Sequence, residues 1–177
     1  MDAQFSRLQQ RDTLSIFGDH ADHILVLGIG NYLMGDEGVG VHIVHRMANL
    51  ELPPYVEVLD GGTGGFFLMS VFDQYGTVIF VDATMDGREG GTISVIRPRF
   101  ASDYPASLSV HDVGLKDMLE ALYLRDKLPD IHLVTISVES IMPMTVEMSE
   151  KVERCVPDAI ETILALAAEI RENSEIQ

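Results

Sequence analysis

The sequence predicts a three-layer α/β domain built on a largely parallel sheet, and three observations carry that reading. Short apolar runs alternate with stretches whose apolar residues recur at helical spacing, the pattern of strand–helix–strand units. The first run, Ile24-Leu25-Val26-Leu27, ends in Gly28-Ile29-Gly30-Asn31 and leads into an apolar-periodic segment through Ile43, Val44 and Met47. The third observation is a short link. Only nine residues, Ala83 to Gly91, separate Asp82 from Thr92, and three of them are glycine. A parallel crossover needs about a dozen residues or more, usually with a helix. The fourth strand is therefore expected to run antiparallel to the third, making the sheet mixed.

Each element has its own signal. Residues 1–20 are polar and mixed and read as an N-terminal extension, with residues 21–177 as a single domain. A strand at about 23–29 is followed by a helix at about 38–48, and Pro53-Pro54 closes that region. The second strand, Val56 to Leu59, runs into Asp60-Gly61-Gly62-Thr63-Gly64-Gly65, and a helix follows from Phe66 to Phe72. The third strand, Val78 to Val81, ends at Asp82. The fourth is Thr92 to Ile96. An irregular stretch at 97–110 precedes a helix at 112–124, a fifth strand from His132 to Val138, and a last helix at 146–172.

Composition bounds the function. A chain of 177 residues with 46% hydrophobic content buries a sizeable core and is not disordered. No apolar run reaches membrane-span length and no secretory segment opens the chain, so cytoplasmic residence is expected. The net charge of −16, from 12 basic and 28 acidic residues, argues against nucleic acid as a partner. The single cysteine, Cys155, excludes an internal disulfide and a cysteine-rich metal site, and its helical setting reads as a packed side chain.

The glycine turn after the first strand resembles a dinucleotide fingerprint, but Leu33 stands where the third glycine belongs. Asp36 and Glu37 then occupy ground where a pyrophosphate needs neutral donors. Two carboxylates there suit a cation. In open α/β sheets, ligands bind beyond the carboxyl ends of strands where neighbouring connections diverge. Glu37 or Asp36 after the first strand, Asp82 at the third, and His111 before the 112–124 helix are the candidates for such a site. Two carboxylates and an imidazole make a divalent-cation site with open positions. Each residue alone has a plainer reading. Asp82 suits a turn, His111 a helix start or core, and the acidic pair a helix N-terminus favoured by the macrodipole. Their joint placement favours the site. His20, His23, His42, His45 and His132 have no acidic partner at ligand spacing, and His42 and His45 read as surface residues. The glycine-rich Asp60–Gly65 turn reads either as a strand–helix turn with Thr63 near an N-cap or as a loop that accommodates a peptide.

Four segments, LVLGIGNYLMGDEGVGV at 25–41, DGGTGG at 60–65, VIFVDA at 78–83 and SVHDVGL at 109–115, together resemble the nickel–iron hydrogenase maturation endopeptidases in order and spacing. The resemblance spans residues 23–140. It implies a phosphorylase/hydrolase-like α/β/α protease domain with a mixed five-stranded sheet, its fourth strand antiparallel. It also implies a monomeric enzyme of the cytoplasm that trims a C-terminal extension from a hydrogenase large-subunit precursor. The metal implied is nickel, presented by the precursor's own cysteines and read by Glu37, Asp82 and His111. No organic cofactor, nucleic acid or membrane is involved. Asp60, Gly61, Gly62 and Thr63 fall on the family's substrate-recognition loop. The chain departs from the family in its first twenty residues and in the methionine-rich Ser140-Ile141-Met142-Pro143-Met144-Thr145.

The chain has no G-x-S-x-G elbow, H-E-x-x-H pair or Cys–His signature. Peptide hydrolysis then has two routes. The precursor's nickel polarises the scissile carbonyl or activates water. Alternatively nickel only docks the precursor, and Asp82 or Asp36 acts as general base. Docking is favoured, because a site that reads another protein's metal is not a closed cage. The rival from another class is a non-enzymatic, metal-sensing checkpoint chaperone for the same precursor. A nucleotide-binding domain is a third reading, weakened by Leu33 and the acidic pair.

Overall fold

Residues His20–Ile29 form the first strand, β1, whose second half is buried on both faces. The structure, a computed structural model, describes residues 20–64, 68–98 and 129–175. A single 3-10 turn, Gly35–Gly38, leads into helix α1, Val39–Met47. Strand β2 is Val56–Gly62, and the four-residue helix α2 is Met69–Phe72. Strands β3, Tyr75–Thr84, β4, Ile93–Ile96, and β5, Asp130–Ser137, complete the sheet, and helix α3, Glu150–Glu175, follows.

The strands lie in the order β2-β1-β3-β5-β4. β1 pairs parallel with β2 and β3, β3 pairs parallel with β5, and β4 pairs antiparallel with β5. The short-link argument therefore gives the direction of β4 correctly. Its neighbour is β5, not β3. The link from β3 passes over one strand position, about 10 Å, well within reach of so few residues. Gly87 and Gly91 turn it with φ of +79° and +84°.

Alternation along the strands sorts the core into two layers. Ile24, Val26, Ile79, Val81, Ala83, Val134 and Ile136 pack with α1 and α3 through Ile43, Val44, Met47, Val152, Val156, Ala159 and Ile163. Leu25, Leu27, Ile29, Val78, Phe80, Ile131 and Leu133 form the opposite layer with Leu68 and Phe72. Central strands covered on both faces read as continuous apolar runs, which is why they were visible in the sequence.

Several boundaries differ from the sequence expectation, with β1 starting at His20 and β2 running on to Gly62. Asp82 does not end its strand: Asp82, Ala83 and Thr84 continue the ladder opposite Thr135, Ile136 and Ser137. The last helix starts at Glu150, not near 146. Ahead of it, Thr145 exchanges backbone hydrogen bonds with Leu33 and Gly35 and bridges Met34. Asp36 and Glu37 lie between the first strand and the first helix, as expected, in the 3-10 turn ahead of α1. The helix expected at 112–124 and His111 lie outside the described residues, as do residues 1–19 of the expected extension.

Candidate active site

The site is built by glycines that let chain segments touch. A Cβ on Gly40 would lie 2.1 Å from the Val81 carbonyl oxygen and 2.4 Å from that of Ile29. A Cβ on Gly28 would lie 2.3 Å from the Gly40 oxygen. Gly30 has φ +131°, and a Cβ there would lie 2.1 Å from the Glu37 oxygen. Only hydrogen side chains permit these approaches. The 3-10 turn and the start of α1 are thereby seated on the carboxyl ends of β1 and β3. This is the crevice that the strand-end argument designates.

Asp36 and Glu37 are each only 2% exposed, and Asp82 is fully buried. Their burial was not legible in the sequence, where strand-end carboxylates suggest a wet mouth. Asp36 Oδ1 accepts the Ser149 backbone N–H at 2.6 Å. Ser149 immediately precedes α3, and its carbonyl takes the Glu153 N–H at 2.8 Å. A carboxylate there faces the positive end of the helix dipole and satisfies one of its free N–H groups.

Asp82 belongs to the other face of the sheet. Its neighbours Val81 and Ala83 pack in the α1/α3 layer, so Asp82 continues the row of Val78 and Phe80. Towards the carboxyl ends that row changes character: Asp82, Thr84, Thr135 and Ser137 are all buried and polar. Asp82 Oδ1 accepts the Ala83 N–H at 2.7 Å. The Thr135 hydroxyl, in register with Asp82, has no hydrogen-bond partner among the described residues. Sequence reasoning missed Thr135, because nothing in Leu133-Val134-Thr135-Ile136 distinguishes a threonine in register with a carboxylate from a β-branched packing residue.

Asp60–Thr63 stands at the same end of the sheet. The Gly30 N–H donates to the Gly62 oxygen at 3.0 Å, tying the two glycine turns together. Gly62, with φ +48°, donates its N–H to Asp60 Oδ1 at 2.9 Å, an Asx turn. Asp60 Oδ2 lies 2.7 Å from His45 Nε2 on α1. The pair spans 15 residues, which is why the sequence left His45 without an acidic partner. Gly61 is buried against Ile29, and Thr63 is exposed. His42, one turn from His45, stacks on Tyr32 with centroids 4.5 Å apart. Burial, then the charges of Arg46 and His45, hold its imidazole below the usual pKa.

The methionine-rich segment packs against the acidic turn, with Met142 beside Gly35. It also presents apolar surface: Met144 is 93% exposed at φ +62°, and Leu33, Tyr32 and Val146 on the bridged strips are exposed as well. Cys155 behaves as packing. Burial, then the charges of Asp158 and Asp36, push its thiol up to about 11, so it is not a nucleophile at neutral pH.

Three buried carboxylates are thus brought to one end of the sheet, on both sides of the β1/β3 crevice. The donor set is hard and anionic and suits a divalent cation.

Residues 41–166 match the sequence profile described as "Hydrogenase maturation protease". The "Hydrogenase 2 maturation protease" of Escherichia coli is 36% identical over 153 residues, covering 82% of this chain and 91% of that protein. The solved structure of the hydrogenase maturating endopeptidase HybD from E. coli superposes with a TM-score of 0.74 at 35% identity, covering 83% of this chain and 93% of that one. The nickel–iron hydrogenase maturation protease HybD from Thermococcus kodakarensis superposes with a TM-score of 0.68 at 26% identity, covering 82% of this chain and 99% of that one.

Proposed function

Because this chain belongs to the hydrogenase maturation protease family and is an enzyme that cuts peptide bonds, we propose that it removes the C-terminal extension of a nickel-loaded hydrogenase large-subunit precursor. The observation that supports the reading is the burial of Glu37 and Asp82 at the carboxyl ends of the sheet, in a sequence without conventional protease motifs. Nickel arrives with the substrate, held by the precursor's cysteines. Glu37, Asp82 and His111 read it, and so admit only a loaded precursor.

Of the two carboxylates offered as general base, Asp82 is our choice. Asp36 is committed to the N-terminus of α3, whereas Asp82 lies in the polar row of the opposite face. Asp36 then anchors the turn that carries Glu37. The Asp60–Thr63 turn lies beside the crevice, where an extended peptide would run. The exposed Tyr32, Leu33, Met144 and Val146 offer apolar contact to the body of the precursor. The enzyme acts as a monomer in the cytoplasm in this reading, and no described helix is long and apolar enough to cross a membrane.

The test is cleavage of loaded precursor by Asp82→Asn and His111→Ala, with melting temperature measured on the same samples. Both variants are expected to remain folded and lose trimming. Wild-type trimming by either would remove that residue from the site.

A further inference from the structure

A second group of ligating side chains lies at the opposite end of the sheet. His20 Nδ1 is 2.8 Å and His23 Nδ1 is 2.5 Å from the same oxygen, Glu57 Oε1. The Tyr75 hydroxyl donates to the other oxygen, Glu57 Oε2, at 2.8 Å. One ligand atom from each of His20, His23 and Glu57 lies within 4.8 Å of the other two. His20 is in register with Tyr75 and Gly28 with Val81, six strand steps further on, so His20 stands about 20 Å along the sheet from the Gly28–Gly30 turn.

The convergence comes from a backbone irregularity. In a regular strand, residues three apart project to opposite faces. Here His20 is in register with Tyr75 and Ile24 with Thr77, so four steps of β1 run against two of β3. The bulge turns both imidazoles to one side. The His20 ring stacks on Tyr75 with centroids 5.2 Å apart and meets His23 edge-on at 5.5 Å. Side-chain exposures of 14%, 37% and 12% for His20, His23 and Glu57 leave the group shielded yet open to a small ion.

Two imidazole nitrogens and a carboxylate oxygen are a recurrent zinc-type donor set, and such sites leave further positions to water. The atoms are already poised. Each Nδ1 aims at the oxygen that a metal would share with it. Tetrahedral ligands at about 2.0–2.1 Å stand about 3.3 Å apart, so the carboxylate need withdraw by less than about 1 Å. Tyr75 fixes Oε2 and thereby orients Oε1, the usual role of an outer hydrogen-bond partner. Although burial opposes it, the hydrogen bonds from Tyr75, His23 and His20 hold the Glu57 carboxyl below the usual range, keeping it anionic.

We propose that His20, His23 and Glu57 form a second divalent-cation site, taking Zn²⁺ or Ni²⁺ through Nδ1 of both imidazoles and Oε1 of Glu57. The site is separate from the crevice and takes an ion from solution. Bound metal ties the start of β1 to β2.

The test is calorimetric titration of Zn²⁺ into the tag-free full chain, as wild type, Glu37→Gln/Asp82→Asn, His23→Ala, Glu57→Gln and Tyr75→Phe. The crevice double variant is expected to keep one equivalent of binding. His23→Ala and Glu57→Gln are expected to weaken that equivalent by about tenfold or more, and Tyr75→Phe by about tenfold. Glu57→Gln is nearly isosteric and keeps the fold. In the double variant, Zn²⁺ should raise the melting temperature, and adding Glu57→Gln should abolish that rise. Loss of all binding in the double variant, or unchanged affinity in Glu57→Gln, overturns the proposal.

Discussion

Asp36 sits where one charge serves two segments 113 residues apart, since its carboxylate takes the N–H of Ser149 and so holds the start of α3 against the acidic turn. Asp36→Ala removes both the acceptor and the charge at the positive end of the helix. A loss of about 1–2 kcal/mol is expected, read as a lower denaturant midpoint. An unchanged midpoint would show that the contact contributes nothing. Titration gives a second prediction. His42 is held below its ordinary value of 6.5, first by burial. Glu57 is held below 4.5 by its hydrogen bonds against the effect of burial, and Asp130 below 3.8, chiefly by His132. In each case the unfolded chain binds the proton more readily, so stability rises with pH across the window between the folded and unfolded values. Stability should therefore decline as pH drops below 6.5 and decline further below 4.5. Urea midpoints at pH 7.5, 5.5 and 4 should fall in that order, in about 0.5 M salt to screen the repulsion of a −16 chain. A flat or rising series would contradict the assignments.

Among the elements, the contact of α1 with β1 and β3 matters most, because it sets where the acidic turn sits. Gly40→Ala drives a methyl group into the carbonyls of Val81 and Ile29, backbone atoms of two central strands that cannot step aside. A loss of about 1–3 kcal/mol or more is expected, together with reduced precursor trimming, as the turn lifts from the strand ends. Full stability in Gly40→Ala would disprove the close seating. Much at this scale was legible in the sequence. The runs at Ile24–Leu27 and Val78–Val81, the Gly28–Gly30 turn and the short Ala83–Gly91 link are local patterns, and each gave its strand, turn or direction. Long-range partners were not legible. Nothing local says that β5 lies between β3 and β4, that Thr145 bridges to Met34, or that a bulge turns His20 and His23 to one side. Asp82 was found as a strand-end residue, yet its ladder runs on to Thr84 because Ser137 pairs there.

At the scale of the molecule, the sheet presents two different ends. Its carboxyl end gathers Glu37, Asp82 and the Asp60–Thr63 turn beside an apolar rim, and its amino end gathers His20, His23, Glu57 and Tyr75. The strand-end rule made the first end legible, since it says where ligands bind in open α/β sheets. The second was hidden because its partners are far apart in sequence. Family membership gives the chemistry, peptide hydrolysis. The geometry supports a reading in which carboxylates at the crevice sense the metal that the substrate brings. That reading makes trimming conditional on nickel. The most direct measurement is the mass of the hydrogenase large subunit after incubation with this enzyme, using matched nickel-loaded and nickel-free precursor. Loss of the C-terminal extension from the loaded precursor alone is the predicted result. Equal trimming of both forms, or none of either, would contradict it.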